Sequence, residues 1–174
     1  MSQILPLGLW TSDVQILIIM IILGLDPGTT RIGYGLINKE GSKLGLLRCG
    51  VIEPNLSTSQ VDRLLILEKR LTQLIKTERP NVAGVEKLYF AKNKKTALGV
   101  AEARGVMLLI LGRLKIPILE FDPTDVKRAV AGDGHCDKKT LARMVCLTLG
   151  VKNIPGPDDV SDAVALAIRA SFEK

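Results

Sequence analysis

Four acidic residues stand where the chain would bring them together, and their chemistry is that of metal ligands. Asp26 and Glu86 each follow a short apolar segment, whereas Asp159 and Asp162 are three residues apart at the start of a predicted helix. Residues three apart share one helical face, and neighbouring strands lie close enough for carboxylates at their ends to converge. Such oxygen ligands suit Mg²⁺ or Mn²⁺ and not zinc. The pattern therefore predicts a divalent-metal site.

The reaction that such a site favours is hydrolysis of a phosphodiester. Two ions about 3.5–4 Å apart can activate a water molecule and stabilise the leaving oxygen. Each acid also has a purely structural interpretation, Asp26 as a turn residue and Asp159 and Asp162 as residues of a helix start. The four together favour a site, because acids near a core are costly without a cation.

The charge balance favours a polyanionic partner. The chain of 174 residues has 24 Lys and Arg against 18 Asp and Glu, a formal net charge of +6. Without the four candidate ligands the remaining surface is more basic still. This balance is typical of proteins that bind nucleic acid or an anionic membrane, although a merely basic globular protein is an alternative. The length indicates a single domain with one sizeable core.

The cysteines and the N-terminal region indicate the compartment. The three cysteines, Cys49, Cys136 and Cys146, contain no CxxC pair, so neither a disulfide framework nor a zinc knuckle is expected. We therefore expect a reducing, cytoplasmic location. A signal peptide is not expected because residues 1–30 lack Lys and Arg. The apolar run Ile16–Leu23 is too short to span a membrane and fits a buried strand.

The hydrophobic pattern predicts the element order βββαβαβααα, which corresponds to an α/β fold with a mixed five-stranded sheet flanked by helices. Three antiparallel strands form a meander and α/β crossovers follow. Gly33 and Gly35 weaken the second strand or admit a close backbone. The predicted strands are Ile21–Leu25, Ile32–Asn38, about 43–52, Val82–Val85 and Ile116–Phe121.

The predicted helices carry recognisable start and stop signals. The first is capped within Ser57–Ser59 and ends near Pro80. The second follows a loop over Tyr89–Lys95 and covers about 96–114. The last three begin after the N-cap Asp122, after the N-cap Asp137 and around Asp158, with the final one continuing to the C-terminus. Residues 1–19 are expected to be an N-terminal extension or a misassigned start, which leaves residues 20–174 as the domain.

Three blocks of sequence resemble the RuvC family of Holliday-junction resolvases. The first block is a strand ending in Asp-Pro-Gly and followed by Gly-Tyr-Gly. The second contains Val-Glu, then Phe-Ala-Lys-Asn and Ala-Arg-Gly, and the third is the Asp-Val-Ser-Asp segment with its alanines. In this sequence the blocks are Ile22–Gly28 with Gly33–Gly35, Val85–Gly105, and Asp159–Ala167. The resemblance extends from about Met20 to about Ala170.

The resemblance implies an RNase H-like nuclease domain and a homodimeric, Mg²⁺-dependent endonuclease. Such an enzyme binds four-way DNA junctions in recombination and repair, and it nicks two strands of like polarity symmetrically. It implies two Mg²⁺ ions per subunit, with Mn²⁺ able to substitute, and a functional contact with the RuvA–RuvB branch-migration complex. The metal-binding and catalytic acids of the family correspond to Asp26, Glu86, Asp159 and Asp162.

A basic segment follows Glu86 and contains two aromatic residues. Lysines meet phosphates, and an aromatic ring can stack on bases. The alternative is a solvated loop with Phe90 in the core. The resemblance places this segment by the junction centre and the dimer interface, with Tyr89 at the family's aromatic position, although which of the two rings contacts DNA stays open. The candidate DNA-binding residues here are Tyr89, Phe90, Lys92, Lys94 and Lys95.

Two further lysines, Lys127 and Lys138, match basic positions that the family uses near the scissile phosphate. Lys127 could stabilise charge that develops in the transition state. Both could also be ordinary surface lysines, and Lys139 competes with Lys138 for the role.

Two other functions are compatible with parts of the sequence. The segment 26–30 resembles the phosphate loop of actin-like ATP-binding proteins, but 174 residues leave no room for the second lobe of that superfamily. The other alternative is a junction-binding module without cleavage activity, against which the complete set of four acids argues.

Overall fold

A computed structural model describes residues 19–28, 31–54, 58–88 and 94–173, with only the backbone for 94–96. The elements that follow one another in these ranges are β1 (Ile19–Pro27), β2 (Ile32–Glu40), β3 (Lys43–Ile52), α1 (Gln60–Glu78), β4 (Val82–Glu86), α2 (Lys94–Arg113), β5 (Ile118–Phe121), α3 (Pro123–Ala131), α4 (Lys138–Leu149) and α5 (Asp158–Ala170). The predicted element order is confirmed.

The strands form one mixed sheet in the order β3-β2-β1-β4-β5. The pairs β3–β2 and β2–β1 are antiparallel, and a tight turn at Gly41 (φ +60°) joins β2 directly to β3. The pairs β1–β4 and β4–β5 are parallel, since helical crossovers connect the later strands. This is the predicted sheet of three antiparallel strands followed by α/β crossovers.

Helices cover both faces of the sheet, and each face has its own hydrophobic core. Leu23 and Leu36 pack toward α1 and α2 on one face. Their neighbours Ile22 and Ile37 pack toward α3, α4 and α5 on the other face. The alternation of side chains along each strand explains why consecutive apolar residues serve different cores.

Helix α5 is the central buried helix, and glycines on three strands allow it to lie directly on the sheet. A Cβ added at Gly24, Gly33 or Gly84 would collide with backbone atoms of α5, and one added at Gly35 would collide with Val164. The close backbone approach considered for Gly33 and Gly35 is therefore the correct alternative. Its consequence is that the first turn of α5 lies against β1 and β2.

Several helix caps agree with the sequence analysis. Ser59 accepts a hydrogen bond from the Asp62 amide at 3.1 Å, and Asp137 accepts one from the Thr140 amide at 2.7 Å. Asp122 stands at the predicted N-cap before Pro123 but makes no side-chain cap bond, because its carboxylate pairs with Lys87 instead.

Some predicted boundaries are wrong by a few residues. β1 begins at Ile19 and includes Asp26, and α2 begins at Lys94. β5 begins at Ile118 because Lys115 takes a left-handed conformation (φ +57°) that closes the turn after α2. The last helix ends at Ala170, where the side chain of Lys39 donates a hydrogen bond to the carbonyl of Ser171.

The cysteines Cys49, Cys136 and Cys146 are all free thiols. Among the helices that the structure describes, none combines the length and the apolar character that a membrane crossing requires. Residues 1–18, which contain most of the expected N-terminal extension, lie outside the described residues.

Candidate metal and nucleic-acid site

A cleft of about 350 Å³ opens where β1 and β4 end. It brings together all four predicted carboxylates and both lysines predicted to contact the scissile phosphate. The charged residues that line it are Asp26, Glu86, Lys127, Lys138, Asp159 and Asp162.

The sheet register places two of the acids. Leu25 of β1 lies opposite Val85 of the parallel strand β4, so Asp26 and Glu86 occupy neighbouring positions at the same edge of the sheet. Asp26 also lies opposite Gly33 of β2. Because Gly33 admits the backbone of Asp159, the first turn of α5 lies over the same edge.

The cluster is electrostatically strained in the absence of a cation. Burial, together with the charges of Glu86, Asp162 and Asp159, raises the pKa of Asp26 to about 8. Burial also raises the pKa of Glu86, with a further contribution from Asp162, and burial raises the pKa of Asp162 despite the nearby Lys138. A divalent cation bound among these carboxyl groups would stabilise their ionised forms, which burial and mutual repulsion disfavour.

Two basic side chains partly compensate the acids of α5. The Nζ of Lys138 lies 3.2 Å from a carboxylate oxygen of Asp162 and 3.8 Å from one of Asp158. Burial acts to lower the pKa of Lys138, but these carboxylates and Asp26 outweigh it and raise the pKa. Arg31 forms an ion pair with Asp159 through its Nε.

Lys127 reaches the cleft from α3. Its Nζ donates a hydrogen bond to the carbonyl oxygen of Cys136 at 2.6 Å. This bond ties the loop that precedes α4 to α3 and holds an ammonium group in the wall of the cleft.

The donor set fits divalent cations in its chemistry, but its side chains do not yet form a coordination shell. Within the part of the chain that the structure describes, no three acidic, His or Cys side chains are close enough together to hold one ion. The α5 acids are turned toward basic partners, Asp159 toward Arg31 and Asp162 toward Lys138. Metal binding through the paired oxygens of these two acids would require them to exchange partners.

Two arginines at the site carry roles that sequence reasoning missed. Arg31 lies between Asp26 and Gly33 in the sequence but belongs to no recognisable motif. Arg104 belongs to the Ala-Arg-Gly motif, and its Nε donates to the backbone carbonyl of Glu86 at 3.1 Å while it forms an ion pair with Glu120. Arg104 thus links α2 to the ends of β4 and β5, where Glu86 must be held.

The predicted DNA-binding segment after Glu86 is described only in part. Tyr89, Phe90 and Lys92 lie outside the described residues. The sequence analysis placed Lys94 and Lys95 in a loop, but both belong to the first turn of α2.

The mixed five-stranded sheet with helices on both faces defines an RNase H-like fold. The sequence model described as crossover junction endodeoxyribonuclease RuvC matches residues 22–170. The chain therefore belongs to the RuvC family. Membership of this family does not favour the alternative of an actin-like ATP-binding protein.

Individual relatives support this assignment. The protein named crossover junction endodeoxyribonuclease RuvC from Roseiflexus sp. is 47% identical over 146 residues, which cover 84% of this chain and 87% of the relative. The protein of that name from Chloroflexus aggregans is 46% identical and covers 84% of this chain and 89% of the relative. Thermus thermophilus RuvC, solved in complex with a Holliday junction substrate, is 31% identical with a TM-score of 0.81 over 88% of this chain and 93% of that one.

Proposed function

We propose that this protein resolves four-way DNA junctions by cutting two strands through metal-dependent hydrolysis of phosphodiester bonds. The observation that carries the proposal is the cleft at the ends of β1 and β4, which contains four carboxylates and two lysines. Membership of the RuvC family supports the same reaction, as does the likeness to a relative solved with a Holliday junction.

Asp26, Glu86, Asp159 and Asp162 would hold the metal, and we propose two Mg²⁺ ions per subunit with Mn²⁺ as a substitute. When bound, these ions supply an activated water and stabilise the leaving oxygen. The protein's own contribution is to keep the ligands in place. The sheet register aligns Asp26 with Glu86, and Arg104 anchors the backbone of Glu86.

Lys127 and Lys138 are proposed to contact the DNA backbone at the cut. Both line the cleft, and ammonium groups there would offset the charge that develops on the phosphate. Lysines and aromatic rings of the segment after Glu86 are proposed to bind the junction outside the cleft. These residues are Tyr89, Phe90, Lys92, Lys94 and Lys95.

A homodimer is proposed because two cuts need two sites. Large apolar side chains are exposed at helical spacing on both α1 and α2: Val61 and Leu65 are 66% and 61% exposed, and Leu98 and Leu109 are 68% and 53% exposed. The Gln60–Glu102 hydrogen bond of 2.6 Å joins the two helices beside this surface. Light scattering at micromolar concentration tests the dimer, and a monomer with and without junction DNA would contradict it.

Family resemblance supports two further proposals. One is a functional contact with the RuvA–RuvB branch-migration complex. The other is a cytoplasmic location, which the free thiols Cys49, Cys136 and Cys146 also favour.

The decisive experiment is cleavage of a synthetic four-way junction in MgCl₂, with both nick positions mapped. We expect paired nicks at symmetric positions in strands of like polarity, and no cutting of a linear duplex of the same sequence. Asp26→Asn and Glu86→Gln should abolish cleavage, because each removes a charged ligand. Glu173→Gln, which changes an exposed acid that follows α5, serves as the matched control and should cleave normally.

The same assay distinguishes a nuclease from a junction-binding module without cleavage activity. If the wild-type protein binds the junction but produces no nicks across a range of Mg²⁺ and Mn²⁺ concentrations, the protein is a binding module. Full cleavage by Asp26→Asn protein would instead refute the role of that acid in the site.

A further inference from the structure

Arg31 is placed where it competes with a metal ion for Asp159. Its Nε is bonded to a carboxylate oxygen of Asp159, the second residue of α5. The side chain of Arg31 is 39% exposed, whereas that of Asp159 is 23% exposed, so Arg31 is the partner with more access to solvent. A cation that binds this oxygen must displace the guanidinium.

Arg31 also lines a narrow crevice beside the cleft. The crevice has a volume of about 20 Å³, which is room for a water molecule and not for a guanidinium or a phosphate, so a phosphate would bind at its mouth. It shares Gly28 with the cleft, and α1 and α2 supply several of its lining residues. Arg31 and Arg63 both line it, and no acidic residue is among its lining residues in the part of the chain that the structure describes.

Arg63 makes the crevice electropositive before Arg31 moves. Its Nε is buried and has no hydrogen-bond partner among the residues that the structure describes. Two guanidinium groups at a crevice without an acid repel each other unless an anion joins them. Gly28 lines both the crevice and the cleft, and arginine suits phosphate through its fork of N–H donors.

We propose that Arg31 is a substrate-binding residue that exchanges partners: it neutralises Asp159 in the metal-free protein and, once metal takes that carboxylate, binds a backbone phosphate of the junction together with Arg63. This inference rests on the proposed function. The exchange keeps a metal-free site from accumulating unpaired charge and makes phosphate binding on this side depend on metal.

The first test measures metal affinity without DNA. Calorimetric titration of MnCl₂ into Arg31→Gln protein should show affinity about two- to fivefold tighter than the wild type, or about 0.4–1 kcal/mol, because a partly exposed competing ion pair is removed. If Arg31 only orients Asp159 as a ligand, its loss should weaken Mn²⁺ binding. Unchanged or weaker affinity overturns the proposal.

The second test measures junction binding as a function of salt in CaCl₂, with the same samples checked for cleavage. Loss of one phosphate contact should reduce the slope of log K against log salt by about 0.9. Arg31→Gln should show this reduction, whereas Arg31→Lys should largely retain the wild-type slope because it keeps the charge. An unchanged slope for Arg31→Gln overturns the proposal.

Arg48→Gln is the matched control for both tests. Arg48 also pairs with a single carboxylate, that of Glu78 at 2.9 Å, but it lines a different groove, between β3 and the later turns of α1. It should change neither the Mn²⁺ affinity nor the slope. Thermal unfolding of each variant checks that the fold is intact. Failure of the wild-type protein to cut a junction would refute the proposed function, whereas the Mn²⁺ titration judges Arg31 without DNA or cleavage.

Discussion

Replacing Gly33 by alanine would insert one methyl group between β2 and the first turn of α5. The new Cβ would lie 2.0 Å from the carbonyl oxygen and 2.6 Å from the carbonyl carbon of Asp159. Neither atom can rotate away, because both belong to the helix backbone. Gly33 does not have a left-handed φ, so the effect would come from this collision alone.

The magnitude follows from the distance. Ordinary contact begins near 3.4 Å, so the start of α5 must retreat by roughly 1.4 Å. Overpacking of this kind typically costs about 1–3 kcal/mol, which corresponds to a fall in melting temperature of roughly 2–12 °C for a domain of this size. A displacement of about 1 Å at reacting groups can reduce a rate by about 10²-fold. Because Asp159 moves with the helix, we expect a loss of about 10²-fold in junction cleavage.

The assay compares Gly33→Ala with Gly112→Ala. Gly112 lies near the end of α2, and a Cβ added there meets no atom within 4 Å. The control should retain its cleavage rate and melt at the wild-type temperature or slightly above it, since alanine favours the helix. If Gly33→Ala cleaves and melts like the control, glycine contacts do not set the position of α5.

Three other predictions concern charges in and around the cleft. The pKa of Asp26 is raised from 3.8 to about 8 in the folded protein, so the metal-free protein should lose stability as pH rises from about 4 to 8. Denaturant unfolding should show that the free energy of unfolding depends less on pH in Asp26→Asn than in the wild type. An equally steep dependence in the variant would contradict the assignment. Lys138→Gln should change the unfolding free energy by less than about 1 kcal/mol, because the ion pair between Lys138 and Asp162 is partly exposed. The same variant should slow single-turnover cleavage at least tenfold. A cleavage rate equal to that of the wild type would show that Lys138 has no role in the site. Arg104→Gln should lower the unfolding free energy by about 1.5–3 kcal/mol through loss of its charge-assisted bond to the Glu86 carbonyl, and an unchanged denaturation midpoint would show that this link contributes nothing.

Local patterns in the sequence predicted most of the elements correctly. Strand alternation, the hairpin turn at Gly41 and the caps at Ser59 and Asp137 depend on residues close together in the chain, so they can be read without the fold. Element ends were less predictable. The turn at Lys115, for example, depends on a left-handed residue that is not glycine, and nothing in the local sequence marks it.

The sequence by itself determined which residues could form the site. The types and spacing of Asp26, Glu86, Asp159 and Asp162, together with the family motifs around them, selected four acids from 18, and all four line one cleft. That selection was possible because each acid stands at the end of an element, where local patterns are informative.

Only the tertiary structure decided how these acids are held and what neutralises them. Arg31 meets Asp159 across 128 positions of sequence, and Arg104 reaches the carbonyl of Glu86 from the middle of another helix. Both partnerships depend on α5 and α2 packing against the sheet, and α5 approaches closely only because glycines on separate strands leave room for its backbone. Contacts between elements distant in sequence leave no periodic or local trace, so the partners of the acids became visible only in the folded chain.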